Sequence, residues 1–277
     1  MVRLLQIEFI KLWNNRASKV LIVSYFVLLC SIALVAAVKF DIGPIQFHLA
    51  EQGIFNFPYI WHFNSFITAF FKLFLAIVIV SMMANEYSNK TIKQNLIDGL
   101  SKKEFILSKF LTVISFALIS TVFVFVVSLI LGLFYSDFNE IGIIFSGLEF
   151  LLAFFVKLVG FFSFCLFLGI LVKRSAFALG FLILWQIFES FIRGIIRWRF
   201  FDGETTDMIM GFFPLNAMWN LIKEPFTRLS AVQTAVNQMG EEIVLNYNVH
   251  WYEILIVLTW TAVFIYGSYA LLKKRDL

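Results

Sequence analysis

Five ionisable side chains fall inside long apolar runs of this sequence. Lys72 and Lys157 lie deep in theirs, Glu149 and Glu189 toward one end, and Lys109 toward the other. A charge in hydrocarbon costs on the order of 2.5–3.5 kcal/mol on insertion scales unless it is paired or hydrated. Lys72 and Lys157 can therefore find carboxylates or carbonyls within a bundle, Glu149 among them. Otherwise they line a hydrated translocation path for an anionic or amphiphilic substrate. Glu189 and Arg193 have the i,i+4 spacing of an ion pair on one helix face. Lys109, near the end of its run, can snorkel toward water.

A second candidate site lies between two apolar runs. Residues 84–111 read A-N-E-Y-S-N-K-T-I-K-Q-N-L-I-D-G-L-S-K-K-E-F-I-L-S-K-F-L. Ile92, Leu96 and Leu100 form one apolar stripe, with Ile97 beside it and Lys90, Lys93, Gln94 and Asp98 on other faces. Gly99 permits a break, and Ser101 with Glu104 three residues on is a capping box opening the next helix. Glu86 can brace the short helix by pairing with Lys90, its i+4 neighbour. The stripe would rest on lipid or fit a groove on a soluble partner.

Other chemistries lack their residues. His48, His62 and His250 are scattered singly and read as interfacial, not as metal ligands. Cys30 and Cys165 lie in apolar runs, so a disulfide framework is not expected. Glu241-Glu242 invites comparison with a Glu-Glu-x-x-x-Arg protease pattern, but Asn246 follows and no intramembrane histidine partners the pair. No serine nucleophile with a histidine base stands out. No G-x-x-x-x-G-K-[ST] phosphate cradle occurs, so the chain is not expected to be an enzyme or to bind a cofactor itself. A nucleic-acid partner is not expected either.

The elements that must carry these residues follow from composition. Of 277 residues 61% are hydrophobic, 14% are charged and 36 are Phe. A chain this small has too little interior to hide so much apolar surface in water. The runs are too long and unbroken for a β-barrel of alternating ten-residue strands. An all-α integral membrane protein remains, with every backbone group bonded within helices. Six transmembrane helices are expected, each long enough for about 30 Å of hydrocarbon: Val20–Val38, about Phe63–Ala84, Ile106–Tyr135, about Gly147–Val172, Ala176 to about Ile192, and Trp251–Leu272. They form one transmembrane domain over 1–277.

Residues 2–16 place Val2, Leu5, Phe9, Leu12 and Trp13 at helical spacing, so an N-terminal interfacial helix is expected within 1–19. Phe55, Phe57, Tyr59 and Trp61 suit an aromatic belt in the loop 39–62. In the segment 193–250, Met208–Ile222 is apolar, interrupted by Pro214 and too short to cross; it suits a re-entrant or interfacial helix between spans 5 and 6. Ser230–Met239 reads as a more polar helix.

Basic residues orient the whole. Thirteen Lys and Arg gather at one set of ends, in the N-terminal segment, 85–105, Lys173-Arg174 and the tail, against six at the other. The positive-inside rule makes the first set cytoplasmic, with both termini.

The segment 84–111 resembles the cytoplasmic coupling region of ABC type-2 permeases, the membrane subunits of ATP-driven exporters. Glu86, Thr91, Ile92, Leu96, Ser101, Lys102 or Lys103, and Lys109 match that family's pattern; Gly99-Leu100 stands where it often has Pro. The opening M-V-R-L-L-Q-I-E-F-I-K-L-W-N-N-R, with Glu8, Lys11 and Arg16, and the finish L-L-K-K-R-D-L are similar to the family's two ends. The resemblance implies a permease domain in the cell inner membrane, with a cytoplasmic coupling helix between spans 2 and 3. It implies a second permease subunit, identical or different, and two copies of an ABC ATPase that uses the ATP. Glu86, Thr91, Ile92, Leu96 and Leu100 would carry the coupling. A secondary carrier, a channel or a structural membrane protein without an ATPase is the alternative. A carrier would be expected to show repeated halves or correspondingly broken spans.

Overall fold

The computed structural model describes residues 2–37, 39–42, 45–48, 53–228 and 247–275, with backbone alone for those between 33 and 48. Helix α1 (Val2–Asn14) meets α2 (Arg16–Ala37) at a bend of 93°. The bend falls at Asn15, whose side-chain oxygen accepts from the Ser18 amide at 3.1 Å. A side-chain acceptor at that position starts a new helix. The strands β1 (Lys39–Ile42) and β2 (Ile45–His48) pair antiparallel, with Lys39 opposite His48.

The second span changes helix type partway along. Helix α3 (Tyr59–Thr68) passes through a 3₁₀ turn, Ala69–Phe71, into α4 (Lys72–Ser88). Lys72 is thus the first residue after the mid-span 3₁₀ turn. A short α5 (Thr91–Ile97) follows, and Gly99 at φ +96° makes the turn the sequence foresaw. The capping box at Ser101 and Glu104 is formed: each side chain bonds the other's backbone amide. It opens α6 (Lys102–Tyr135), a single helix containing the expected third span. Then come α7 (Ile141–Ile144), α8 (Glu149–Val172) and α9 (Ser175–Arg199). The segment after α9 is two helices, α10 (Gly203–Met210) and α11 (Pro214–Asn220). Pro214 does not interrupt a helix there; it occupies the first turn of α11, where its missing N–H costs nothing. Helix α12 (Trp251–Lys274) ends the bundle. Ser230–Met239 and Glu241-Glu242 lie outside the described residues.

Five continuous helices are long and apolar enough to cross a membrane, and the bent α1–α2 pair raises the number to six. These are the helices of a multi-pass membrane protein. Helix α8 is the axis: 83% of its apolar window is buried, against 17% for α9 and 22% for α12. It packs on α4, α6, α9 and α12. A Cβ added at Gly160 of α8 would lie 2.7 Å from Val257 Cγ1 of α12. Only a glycine permits so close an approach.

The aromatic belt expectation is overturned in part. Phe55, Phe57 and Trp61 are buried, and only Tyr59 is exposed. Trp61 Nε1 donates to the Ile144 carbonyl at 2.8 Å, and its ring stacks on Phe125. An indole that can satisfy its N–H inside the protein has no need of the headgroups. His62 is also buried, not interfacial, stacked on Phe150 with Nε2 2.8 Å from the Lys223 carbonyl oxygen.

Candidate functional site

Four charged side chains from three helices meet at the end of the bundle where α4 stops and α6 begins. Lys109 of α6 is fully buried and does not snorkel. Its Nζ donates at 2.6 Å to Glu8 Oε2 of α1 and at 2.6 Å to Glu86 Oε1 of α4. Glu8 and Glu86 are themselves buried. Lys11 reaches Glu86 Oε1 at 3.0 Å and Glu8 Oε1 at 3.6 Å, and the Thr91 hydroxyl, opening α5, donates to Glu86 Oε2. The two carboxylates and two ammonium groups cancel, which is what lets buried ions persist in low dielectric. Burial alone would pull the Lys11 ammonium down, but Glu8 and Glu86 beside it hold its pKa above the ordinary 10.5.

Glu86 therefore does not pair with Lys90. Lys90 is exposed and turns the chain at φ 55°, while Lys109 offers a desolvated partner that an exposed i+4 lysine cannot match. The apolar stripe of α5 also faces inward. Ile92 is buried, and Leu96 and Leu100 are half-buried against the chain's own core; Ile97 is the exposed residue, at 75%. Lys93, Gln94 and Asp98 are exposed beside it. The stripe that the sequence offered to lipid or a partner is used within the chain.

The C-terminal residues close the same end. Arg275 donates to the Ile170 carbonyl, to the Leu171 carbonyl at 3.0 Å and to the Tyr87 hydroxyl at 3.0 Å. It thus caps the last turn of α8, where carbonyls lack partners and a cation is favoured. Lys102 donates to the carbonyl of Arg275 at 3.0 Å.

The remaining intramembrane charges surround α11. Glu189 is fully buried and does not bond Arg193. Its oxygens accept from the backbone amides of Leu215 (3.1 Å) and Asn216 (3.0 Å), from Asn216 Nδ2 (2.8 Å) and from Trp185 Nε1 (2.7 Å). The first amides of α11 are a better partner than a helix-surface arginine, because they are buried and otherwise unbonded. Arg193 turns outward to Asp207 of α10 at 2.8 Å. At the other end of α11 the Trp219 carbonyl accepts from Lys157 Nζ at 3.4 Å. Buried charges of opposite sign thus hold both ends of this seven-residue helix. Glu149 is exposed and pairs with neither intramembrane lysine.

Lys72 and Lys157 share one cavity of about 320 Å³ between α4, α8, α9 and α11. Lys72 Nζ lies 4.3 Å from the centre of the Phe161 ring, and Lys157 Nζ 5.3 Å from that of Trp219.

Sequence reasoning thus selected Glu86, Thr91 and Lys109, which converge, and Lys72 and Lys157, which share a cavity. It missed the capping roles of Arg275 and Glu189, and with them Asn216 and Trp219. Pro214 was the available signal, since a proline in a first turn marks a helix start that attracts a carboxylate.

A search of curated proteins finds no match to this chain. A family profile described as "Protein of unknown function (DUF2705)" matches residues 28–277, and the chain belongs to that family.

Proposed function

We propose that the chain is the membrane-spanning permease subunit of an ATP-driven ABC exporter in the cell inner membrane. It works with a second permease subunit and two copies of a separate ATPase chain, and it binds no cofactor itself. The ion network supports this reading. Glu86, Thr91 and Lys109 of the coupling pattern and Glu8 and Lys11 of the opening helix meet at one buried point. Through it α1, α4, α5 and α6 are tied together, so a push on α5 is transmitted to two spans without loss in flexible side chains. A coupling device needs that rigidity. The inward turn of Ile92, Leu96 and Leu100 fits the same role, because it fixes α5 to the bundle and leaves Lys93, Ile97 and Asp98 for the ATPase.

The test uses the chain co-expressed with a candidate ABC ATPase chain from the same genome. Burying Ile97 in a groove is worth about 1.5–3 kcal/mol, so Ile97→Asp should weaken ATPase co-purification by about tenfold or more. The thermal midpoint of the solubilised permease should not move, since residue 97 touches little of its own chain. Leu96→Asp is the poorer probe because it would damage the core. Undiminished ATPase binding and ATP turnover in Ile97→Asp with Lys93→Glu would defeat this assignment of the contact.

A further inference from the structure

The cavity holding Lys72 and Lys157 combines two features that conflict while both lysines are charged and nothing else enters it. Apart from the two lysines and Gln186 its walls are aromatic and aliphatic, with Phe66, Phe161, Leu182 and Met218 among them. Yet two lysine side chains, Lys72 and Lys157, line it. Among the described residues neither has a carboxylate partner. Glu189, on a helix that forms one wall, has both oxygens turned to α11 and Trp185. Among the described residues Lys157 has one long bond to a carbonyl and the face of Trp219, and Lys72 has the face of Phe161. Two like charges in an apolar box are strongly unfavourable. One amine can lose its proton, or an anion between them can hold both charged.

The position says what kind of anion. At a rise of about 1.5 Å per residue, Lys157 lies about 12 Å along α8 from Glu149 and about 22 Å from Val172. A site at that depth is reached through hydrocarbon. Phe70, Leu73, Ile183 and Ile187 line the cavity and are exposed on the flank of the bundle, so its side opens toward acyl chains. The volume is at the low end of ligand pockets, which run from about 300 to 1,000 Å³, enough for a headgroup and the start of a tail.

We propose that this cavity binds an anionic amphiphile from within the membrane, its carboxylate or phosphate between Lys72 and Lys157 and its alkyl tail leaving between α4 and α9 past Leu73 and Ile187. Binding requires no ATPase, so this assignment stands or falls apart from the exporter reading. If both hold, the amphiphile is the substrate class.

The full chain is reconstituted in phosphatidylcholine vesicles doped with one of three acyl-brominated lipids: stearate, phosphatidylglycerol or phosphatidylcholine. Bromine quenches tryptophan on contact, and Trp219 lies on the cavity wall. Quenching by at least one of the anionic lipids should exceed that by phosphatidylcholine, and the excess should vanish in Trp219→Phe. Excess from stearate alone identifies a single-tailed carboxylate, and excess from phosphatidylglycerol a phospholipid. Lys72→Met should weaken the anionic component about tenfold, the loss of one charge-assisted bond, while Lys72→Arg retains it. Equal quenching by all three lipids, an excess that survives Trp219→Phe, or wild-type affinity in Lys72→Met would overturn the proposal. If Lys72→Met does not fold, the three-lipid comparison in the unsubstituted chain and in Lys72→Arg still decides.

Discussion

Lys109 shows what a buried charge does in this protein and what the sequence could say of it. Its place in the 84–111 pattern was legible, and so was the presence of Glu86. Its second partner was not, because Glu8 stands 101 residues away and nothing local joins them. The same limit misled the reading of Glu189, where the i,i+4 rule looks only along one helix. The stronger offer came from the amides of α11, which only the fold brings near. Removing Lys109 should expose how far the network depends on it. Lys109→Met leaves Glu8 and Glu86 buried with only the partly exposed Lys11 to neutralise them. Removing one member of a buried ion pair costs about 3–5 kcal/mol, read as a lower denaturation midpoint in detergent. Adding Glu8→Gln should recover part of the loss, a coupling of about 0.5–3 kcal/mol. Strict additivity would mean that the two side chains do not share a site.

The spans were legible because twenty apolar residues in a row have few other structures open to them. The capping box at Ser101 was legible because it is local. Less legible was the packing: which helix is central, and which aromatics turn inward. Phe55, Phe57 and Trp61 look like belt residues by type, yet they are buried, with Tyr135, Gly132 and Phe125 of α6 and Ile144 of α7 against them. Helix α8 is central because its small residues let neighbours approach. A Cβ added at Gly169 would lie only 3.0 Å from Met83 Cβ of α4, and Gly160 faces Val257 of α12 at least as closely. Val257 is β-branched and stiff, so it yields poorly to an added methyl group. Gly160→Ala should therefore destabilise by about 1–3 kcal/mol through overpacking, although alanine is the better helix former. Val257→Ala in the same chain should relieve most of that loss. A neutral Gly160→Ala, with the same midpoint as wild type, would show that α8 and α12 separate easily.

At the scale of the molecule, the end of the bundle where α4 stops and α6 begins is knitted by charge. The ends of α4 and α8, the start of α6 and the tail after α12 meet through Arg275 and Lys102. The basic residues that the sequence counted in four separate segments thus gather on one face. Thirteen lie there against six at the other set of ends, which the positive-inside rule reads as a cytoplasmic face. The proposed function requires that orientation, because ATP is cytoplasmic and α5 would have to meet an ATPase from that side. Lys93 and Glu204 are both exposed and follow spans that run in opposite directions. With Cys30 and Cys165 replaced by alanine, a cysteine introduced at position 204 should react with a membrane-impermeant maleimide in intact cells. One at position 93 should react only after the membrane is opened. The reverse pattern would turn the bundle over and remove α5 from the reach of ATP-driven work. Labelling of both in intact cells would put the two loops on one side of the membrane. No arrangement in which α6, α8 and α9 each cross once allows that, because three crossings separate the loops.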